Sequence, residues 1–576
     1  MKTSRRSRRA LAWSVALAAV LAVACVRAAE PFENLMPEGV IVCVAARDVP
    51  GSVESVKASP QWELWSEPGM EFFLGDVTEA IEDMRTELLG DLGVSPEELL
   101  AMLGGQVCVG VYPRGDGDAH FLLLADVSGS PETAARLVRE LVRRERVSGE
   151  YDVTEEEFRG HTIHHVQPVE DETAEEEEPE WWEPEPRREY PGYLALSDNV
   201  LAKASSPDRS LLERHLVLRA GETAVPSVGR SDDYRRLQPH VGADADVVAF
   251  VDIRTAAGLE DGEGASVPPA LGLGFDVDAD GSEAVQGLLL MPRPRTGYVR
   301  AFIPEGGSVQ VPAFADADGA LIAALHFSMP VLWEEIVATM QRDAPEAYMN
   351  MQQGLQGLPF NLENDIINAL GDRVFFYMAS ADAWEERSIL MPMALVARLR
   401  DAAAFGTAWK QILAMVPPMF RVETVEFMGV EIQQFGMAMA EPGMPMPRPC
   451  VAVTADKVVL ASGLQVVRDI IRNDARSAGA VSETEDFRRL AGLTMEDPDA
   501  VVYANGQAMG RLVKGQVERQ KQMMRDMGFD AEDDEMPDEM PWDLLDKYYT
   551  SSMLTARWTD DGLLIKARSL APAAGR

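Results

Sequence analysis

At 576 residues, the chain is too long for one typical domain, and two domains of roughly 250 residues each are the natural expectation. Its net charge of −41 excludes nucleic acid as a partner, because a polyanion would be repelled, and it disfavours docking on anionic lipid. Hydrophobic residues make up 46% of the chain, which is typical of a globular protein and excludes a disordered one.

Residues 1–28 are typical of an export signal. Arginines precede the apolar run Ala10–Val26, which is shorter than a membrane span. Small residues at positions 26 and 28 predict cleavage after Ala28. The alternatives are a lipid anchor at Cys25, in an imperfect lipobox, and an uncut segment that tethers the chain. The predicted location is extracytoplasmic, in the periplasm or at the cell surface, with membrane contact only through such an N-terminal anchor.

Cleavage leaves Cys43, Cys108 and Cys450 in a compartment that permits disulfides. All of them lie in apolar, strand-like runs, so we expect buried cysteines that act as small hydrophobic residues. An odd number of cysteines cannot pair completely, and Cys43 with Cys108 is the one pair to test for a disulfide.

One block of sequence occurs twice. Ser231–Leu237 (SDDYRRL) reappears as Thr484–Leu490 (TEDFRRL), and Asp246–Asp252 (DVVAFVD) reappears at the same spacing as Asp499–Asn505 (DAVVYAN). A repeat of this length indicates an internally duplicated fold, so the two halves of the chain can be compared element by element.

Each copy begins with a short apolar strand, at 39–45 and 320–326, and continues into a long helical stretch, at 60–89 and 331–355. A second helix follows in each copy. In the first copy it opens with the capping-box pattern Ser95-Pro96-Glu97-Glu98, and in the second copy it starts near Asn361.

After a further strand, each copy contains an amphipathic helix. Its apolar residues recur at the spacing i, i+3, i+4, i+7, which places them on one face. They are Ala134, Leu137, Val138 and Leu141 in the first copy, and Phe405, Ala408, Trp409 and Ile412 in the second. Tight strand pairs follow at Gly160 and Gly429, and Asp-Gly turns indicate a closing hairpin in each copy.

These patterns predict an α+β fold with two homologous halves, each a mainly antiparallel sheet covered by helices. The first domain is expected at 33–303 and the second at 318–570, with a linker at 304–317 that is rich in Gly, Pro and Ala. Three segments interrupt this plan: a flexible acidic insert at 169–188, a Met- and Pro-rich loop at 437–449, and an acidic excursion at 516–542.

No catalytic residue and no cofactor site is predicted, because the sequence contains none of the hydrolase, phosphate-loop or dinucleotide motifs. The best metal candidates are Met437, Met439, Met444 and Met446, whose thioethers suit Cu(I). However, the chain has 28 Met, and many occupy expected core positions such as Met415.

Two further patterns have ordinary structural explanations. His161, His164 and His165 lie in one predicted strand, where alternation separates them too far to bind one ion. The acidic run Asp276–Gly281 resembles the start of a calcium loop, but it lacks the final glutamate and fits a hairpin turn.

Trp181 and Trp182, in the acidic insert, are candidates for partner docking or for packing back on their own domain.

The opening segments Leu35–Val44 and Val56–Trp62, together with the Ser-x-x-Tyr/Phe-Arg-Arg-Leu element, resemble an uncharacterised bacterial exported family, catalogued as domain of unknown function 3352. The resemblance implies a signal peptide and an envelope or surface protein. It supplies no catalytic residues.

The sequence therefore favours an exported, non-catalytic protein of binding or scaffold type, whose partner is an envelope protein or ligand. Two alternatives stay open at this point. One is an extracytoplasmic enzyme of the hydrolase type, with its site in a groove between the two halves. The other is a soft-metal binder that uses the Met-x-Met loop.

Overall fold

The computed structural model describes residues 31–59, 62, 94–113, 119–149, 151–169, 192–206, 208–242, 245–259, 267–278, 280–304, 306–385, 390–437, 447–476, 479–526, 542 and 548–572. The chain divides into two compact units. The first comprises 1–281 with 285–291, and the second comprises 282–284 with 292–576. The fold is α+β, and its strands pair antiparallel.

The first unit is built on strands that follow one another closely in the sequence. They are β1 (Val42–Ala46), β2 (Val107–Pro113), β3 (Ala119–Asp126), β4 (Tyr151–Phe158), β5 (His161–Pro168), β6 (Gly192–Ser197), β7 (Val200–Ser205), β8 (Val247–Asp252), β9 (Ala270–Val277) and β10 (Glu283–Leu290). Their pairing gives the order β10-β9-β8-β1-β2-β3-β7-β6-β5-β4. The first strand of the unit thus lies in the middle of its sheet.

The helices of the first unit are α1 (Val49–Ala58), α2 (Pro96–Met102), α3 (Pro131–Ser148), α4 (Ser210–Arg219), α5 (Asp232–Leu237) and α6 (Ile253–Ala256). The predicted capping box at the start of α2 is confirmed, since Ser95 Oγ accepts from Glu98 N–H and the Glu98 carboxylate accepts from Ser95 N–H. The stripe on α3 is also confirmed: Ala134, Leu137 and Val138 are buried.

The second unit contains the strands β11 (Leu321–His326), β12 (Leu370–Met378), β13 (Met393–Leu399), β14 (Phe420–Phe427), β15 (Val430–Met437), β16 (Cys450–Val453), β17 (Lys457–Ala461), β18 (Ala500–Ala504), β19 (Ser552–Trp558) and β20 (Gly562–Ser569). They pair in the order β20-β19-β18-β11-β12-β13-β17-β16-β15-β14. Strand by strand, this is the order found in the first unit.

The helices of the second unit are α7 (Met329–Asp343), α8 (Pro345–Gln356), α9 (Ala402–Ala414), α10 (Leu464–Asp474), α11 (Glu485–Leu493) and α12 (Gly506–Asp526), with a π-helical turn at Leu362–Ile367. The helical stretch predicted for 331–355 is confirmed, but it is divided into two helices. Ala344 has φ −145°, and Pro345 opens a new helix. Proline removes an N–H donor and disfavours helical backbone in the residue before it.

Helices cover one face of the second sheet and form its main core. Val467 and Ile470 of α10 and Leu490 of α11 pack with alternate residues of the strands, among them Ile322, Tyr377, Val396, Val459 and Tyr503. These strand residues are almost fully buried. Burial of this kind is the main stabilising contribution, at about 1.5–3 kcal/mol for each large apolar side chain.

The segment 304–317, predicted as a linker, contributes to the core of the second unit. Val309, Phe314 and Ala315 are buried there, and the Phe314 ring meets the Phe375 ring edge-on at a centroid distance of 5.7 Å. Residues 292–303 also belong to this unit rather than to the first domain. The prediction failed because Gly and Pro mark irregular backbone, which can still be buried when apolar side chains lie between them.

The structure also bears on the predictions for Met415 and for the segment that starts at 516. Met415, expected in the core, is 51% exposed because α9 ends just before it. The excursion expected from 516 begins inside a helix, since α12 starts at Gly506 and packs Ala508 and Leu512 against Ala320 and Trp384.

We expect Phe314→Ala to lower the free energy of unfolding of the second unit by about 3–5 kcal/mol, because it removes a buried aromatic ring and leaves a cavity. Urea unfolding measured by circular dichroism tests this. Leu493→Ala, which truncates a half-exposed side chain of the same unit, is the matched control and should change the midpoint little. Equal effects of the two substitutions would contradict a core role for 304–317.

Candidate functional site

Several predicted site residues lie outside the described residues. They are Cys25, Trp181, Trp182, Met439, Met444 and Met446. Of the methionine group, Met437 is described, and it is a half-exposed residue at the end of β15, opposite Phe420. The copper and docking hypotheses therefore stay predictions.

The cysteine thiols are free and buried. Cys43 Sγ lies 3.5 Å from Cys108 Sγ. The two residues are diagonal neighbours, since Cys43 faces Gly110 and Cys108 faces Ala45 across the β1–β2 pair. A hydrogen bond with Cys43, together with burial, raises the pKa of the Cys108 thiol and keeps it protonated. Diagonal Cα atoms in an antiparallel pair lie about 7–8 Å apart, which exceeds the span of a relaxed disulfide.

We expect all three cysteines of the mature chain to remain thiols even after export. Mass spectrometry of protein that is alkylated after unfolding without reductant should show one adduct for each cysteine. Alkylation of the native protein should be slow, because the thiols are buried and protonated. If only Cys450 takes up the reagent after unfolding, Cys43 and Cys108 form a disulfide.

The strand histidines contact neighbouring side chains of the same sheet. The His165 ring stacks on Tyr193 at a centroid distance of 4.5 Å, and burial lowers the pKa of His165. His164 Nδ1 lies 3.6 Å from the Glu155 carboxylate. Within the described ranges, no three His, Cys, Asp or Glu side chains come together as a metal site.

His215 of α4 is the most deeply buried histidine of the first unit, and its Nδ1 lies 3.0 Å from the Leu35 carbonyl oxygen. Burial lowers the pKa of His215 to about 4, an effect that the Leu35 carbonyl partly offsets. The unfolded chain therefore binds one more proton than the folded chain between about pH 6.5 and pH 4, and stability is lost as the pH falls through that window.

We expect His215→Gln to reduce the loss of stability at acid pH. The glutamine amide can donate to the Leu35 carbonyl, and it does not titrate. The difference in unfolding free energy between wild type and variant should change by up to about 3 kcal/mol from pH 7 to pH 4.5. Urea unfolding of both proteins at several pH values measures it. Parallel curves for the two proteins would show that folding does not lower the pKa of His215.

The strongest candidate site is the second face of the second sheet, which sequence reasoning missed. We call it the apolar face, and it consists of the apolar residues of β11, β12, β13, β17, β18 and β19 that point away from the α10–α11 core and stay at least partly exposed. They are Leu321, Ala323, Leu325, Val374, Phe376, Met378, Met393, Leu395, Ala397, Val458, Leu460, Ala500, Val502, Ala504 and Leu554. None of these residues is fully buried.

A single row of the apolar face crosses six neighbouring strands. In strand order it comprises Leu554, Val502, Ala323, Phe376, Leu395 and Leu460, and each residue is directly opposite the next. Leu395 and Leu460 are 46% and 47% exposed, and Leu554 at the opposite end of the row is 37% exposed. Beyond Leu460, the opposing residue of β16 is Val451, which is buried. Contiguous exposed apolar surface of this kind marks an interaction site more often than scattered single residues do.

The apolar face offers no hydrogen bonds. The side chains that define it carry no N–H, O–H or charged group, although Ser552 points to the same side of the sheet opposite Ala504. All six of its strands (β11, β12, β13, β17, β18 and β19) have a paired strand on both sides. The backbone groups in the face are thus already used in the sheet. The face therefore suits binding through apolar contact.

The matching row of the first unit is covered by helices. It comprises Leu273, Ala249, Val44, Val109, Leu123 and Lys203 at the same strand positions. Val44, Val109 and Leu123 pack against a buried core that includes Val49 of α1, Met102 of α2 and Leu137 of α3. In the second unit, α7 and α8 have no fully buried residue. Cover in the second unit comes at the margins of the sheet. Trp409 of α9 donates to Gln433, which lies on the same side as Leu460, and Met378 packs against Trp384 and against Leu512 of α12. Between these margins, Leu395 and Leu460 stay nearly half exposed.

A second surface deserves comparison because it is basic in an acidic chain. Arg139, Arg143 and Arg146 of α3 line a depression of about 350 Å³ with His164 and Glu155. Neighbouring carboxylates compensate two of these charges, since Arg143 pairs with Glu140 and Arg146 with Glu155, both at 2.7 Å. With its charge largely compensated, this surface is a weaker candidate than the apolar face.

Comparison of the chain with protein-family models, with curated proteins and with solved structures finds no match. Among the described residues, none of the helices combines the length and the apolar character that crossing a bilayer requires.

Proposed function

We propose that the chain is an exported, non-catalytic binding protein of the cell envelope or surface, built from two homologous α+β halves. The observation that carries the proposal is the apolar face, because it leaves a continuous hydrocarbon surface partly open to solvent in an otherwise strongly charged protein. A surface without polar groups can hold a ligand but cannot transform it.

The strand order of the two units supports a duplication. Local contacts repeat as well. Ser231 Oγ accepts from Tyr234 N–H at 3.3 Å, and Thr484 Oγ1 accepts from Phe487 N–H at 3.3 Å. The rings that follow these caps meet an aromatic ring of the sheet edge-on in both units, Tyr234 with Phe250 and Phe487 with Tyr503. Both members of each pair are aligned positions of the repeated block.

The turns of the two units agree in the same way. Arg159 and Gly160 have φ of 53° and 81°, and Met428 and Gly429 have φ of 52° and 81°. Two consecutive left-handed residues form the type I′ turn that joins closely paired strands. The shared strand order, helix N-caps and hairpin turns favour the duplication of one ancestral half.

Placement in the envelope is supported by the N-terminal sequence and by the resemblance to the exported family catalogued as domain of unknown function 3352. A partner or ligand from the envelope follows from that location. Export, membership of this family and an envelope partner are all parts of this proposal.

We expect the mature protein to be recovered from the extracytoplasmic fraction with Ala29 as its first residue, because the signal is cut after Ala28. Cell fractionation and intact mass measurement test this. Cys25→Ser is the control: it leaves a protein cut after Ala28 unchanged and abolishes membrane retention of a lipidated one. Recovery of the uncut chain from the cytosol would overturn the proposal.

A further inference from the structure

We propose that the basic surface of α3 binds an acidic, tryptophan-bearing peptide segment, and that residues 170–185 of the same chain are its occupant. The surface is the depression of about 350 Å³ that Arg139, Arg143 and Arg146 line in the first unit. The inference goes beyond the proposed function, because it concerns a contact of the first unit with its own insert and depends neither on export nor on the apolar face.

The charge at this surface is locally positive. Three guanidinium groups line the depression and only one carboxylate does, that of Glu155. Arg143 and Arg146 pair with carboxylates, but Arg139 has no such partner within the described ranges. The paired side chains of Arg143 and Arg146 are 61% and 49% exposed, so their ion pairs contribute little and exchange readily for a denser run of carboxylates.

The surface also has an apolar part. Val147 is 73% exposed beside the arginines, and the buried Val142 lines the same depression. An aromatic ring suits such a surface, because its face attracts guanidinium groups and its area covers the exposed valine. The depression therefore fits a segment that carries aromatic rings as well as carboxylates.

Residues 170–185 have this composition. They contain ten carboxylates, no basic residue, and the adjacent rings of Trp181 and Trp182. The segment lies outside the described residues, and the strands that flank it fix where it starts and ends.

The flanking strands place both ends of the segment close to α3. β5 ends at Pro168, opposite Tyr151, which follows the last residue of α3 by three positions. β6 begins at Gly192, opposite Val166 of β5, so the chain returns to the same end of the sheet. His164, which lines the depression, lies about 13 Å before Pro168 along β5. Residues 170–185 span up to about 50 Å when extended, which is more than enough to reach the depression.

Attachment to the same chain favours this occupant over an external one. A segment joined to its site by a short linker has an effective concentration on the order of millimolar, so that even a weak contact is largely occupied. An external acidic peptide must therefore compete with residues 170–185.

The experiment compares the wild-type chain with a variant in which residues 170–185 are exchanged for a Gly-Ser segment of equal length. Fluorescence anisotropy measures the binding of a labelled synthetic peptide that has the sequence of residues 169–186. We expect the exchanged chain to bind the peptide at least tenfold more tightly than wild type, in which the native segment competes. Added salt should weaken this binding, because it screens exposed charges.

Substitutions on α3 test where the peptide binds. In the exchanged chain, Arg139→Gln combined with Arg143→Gln should lower the affinity for the peptide at least fivefold, because it removes two of the three guanidinium groups. The matched control is Arg235→Gln combined with Arg236→Gln, which neutralises two exposed arginines of α5 in the same unit and should leave the affinity unchanged.

Proteolysis gives a second measurement that needs no exchanged segment. In the otherwise wild-type chain, Arg139→Gln with Arg143→Gln should accelerate cleavage within 170–185 by a glutamate-specific protease at least threefold, because the segment is released from α3. The α5 control variant should be cleaved at the wild-type rate.

Three results would overturn the inference. They are equal affinity of the peptide for the wild-type and exchanged chains, no binding to either chain, and cleavage of the α3 variant at the wild-type rate. None of these results bears on export or on the apolar face, so failure here is distinguishable from failure of the proposed function.

Discussion

A sheet that pairs its strands on both sides satisfies its own backbone but leaves two faces of side chains to be covered, and this constraint organises each unit. In the second unit, α10 and α11 cover one face and bury Tyr503, Val396 and their neighbours. The other face is mainly apolar across its central strands and keeps Leu395 and Leu460 nearly half exposed. Apolar surface left in water is costly, so a sheet that retains such a face is expected to have a binding partner.

Helices cover the equivalent sheet faces of the two units to different extents. In the first unit, Val44, Val109 and Leu123 lie under side chains of α1, α2 and α3. At the position equivalent to Leu460 this row has Lys203, an exposed residue. In the second unit the same row ends at Leu460, and Pro345 divides the expected long helix into two helices without a fully buried residue. The same strand order therefore occurs with a closely covered face in the first unit and a partly exposed one in the second.

The polar side chains of the first unit hold its own parts together. Tyr234 donates to the Glu33 carboxylate at 2.8 Å, and Arg47 reaches the same oxygen at 3.3 Å. These contacts tie the N-terminal segment to α5 and to the chain after β1. A buried carboxylate with two partners is a structural group, since removal of either partner would leave charge uncompensated in the interior.

Sequence reasoning worked where the signal was local. The capping box at Ser95, the stripe on α3 and the burial of all three described cysteines follow from side-chain chemistry and spacing over a few residues. The same reasoning failed at Met415 and at 304–317, because the exposure of a methionine and the burial of an irregular segment depend on what packs against them.

The sequence by itself determined the α+β class, the antiparallel hairpins and the apolar character of strands such as 320–326, because strand and turn preferences are properties of neighbouring residues. A continuous apolar run predicts a strand that is covered on both faces. Only the tertiary structure decided that one face of the second sheet stays partly open, because cover depends on where helices distant in the chain come to lie. The same holds for the register that aligns Leu554 with Leu460 across six strands, which long-range pairing fixes.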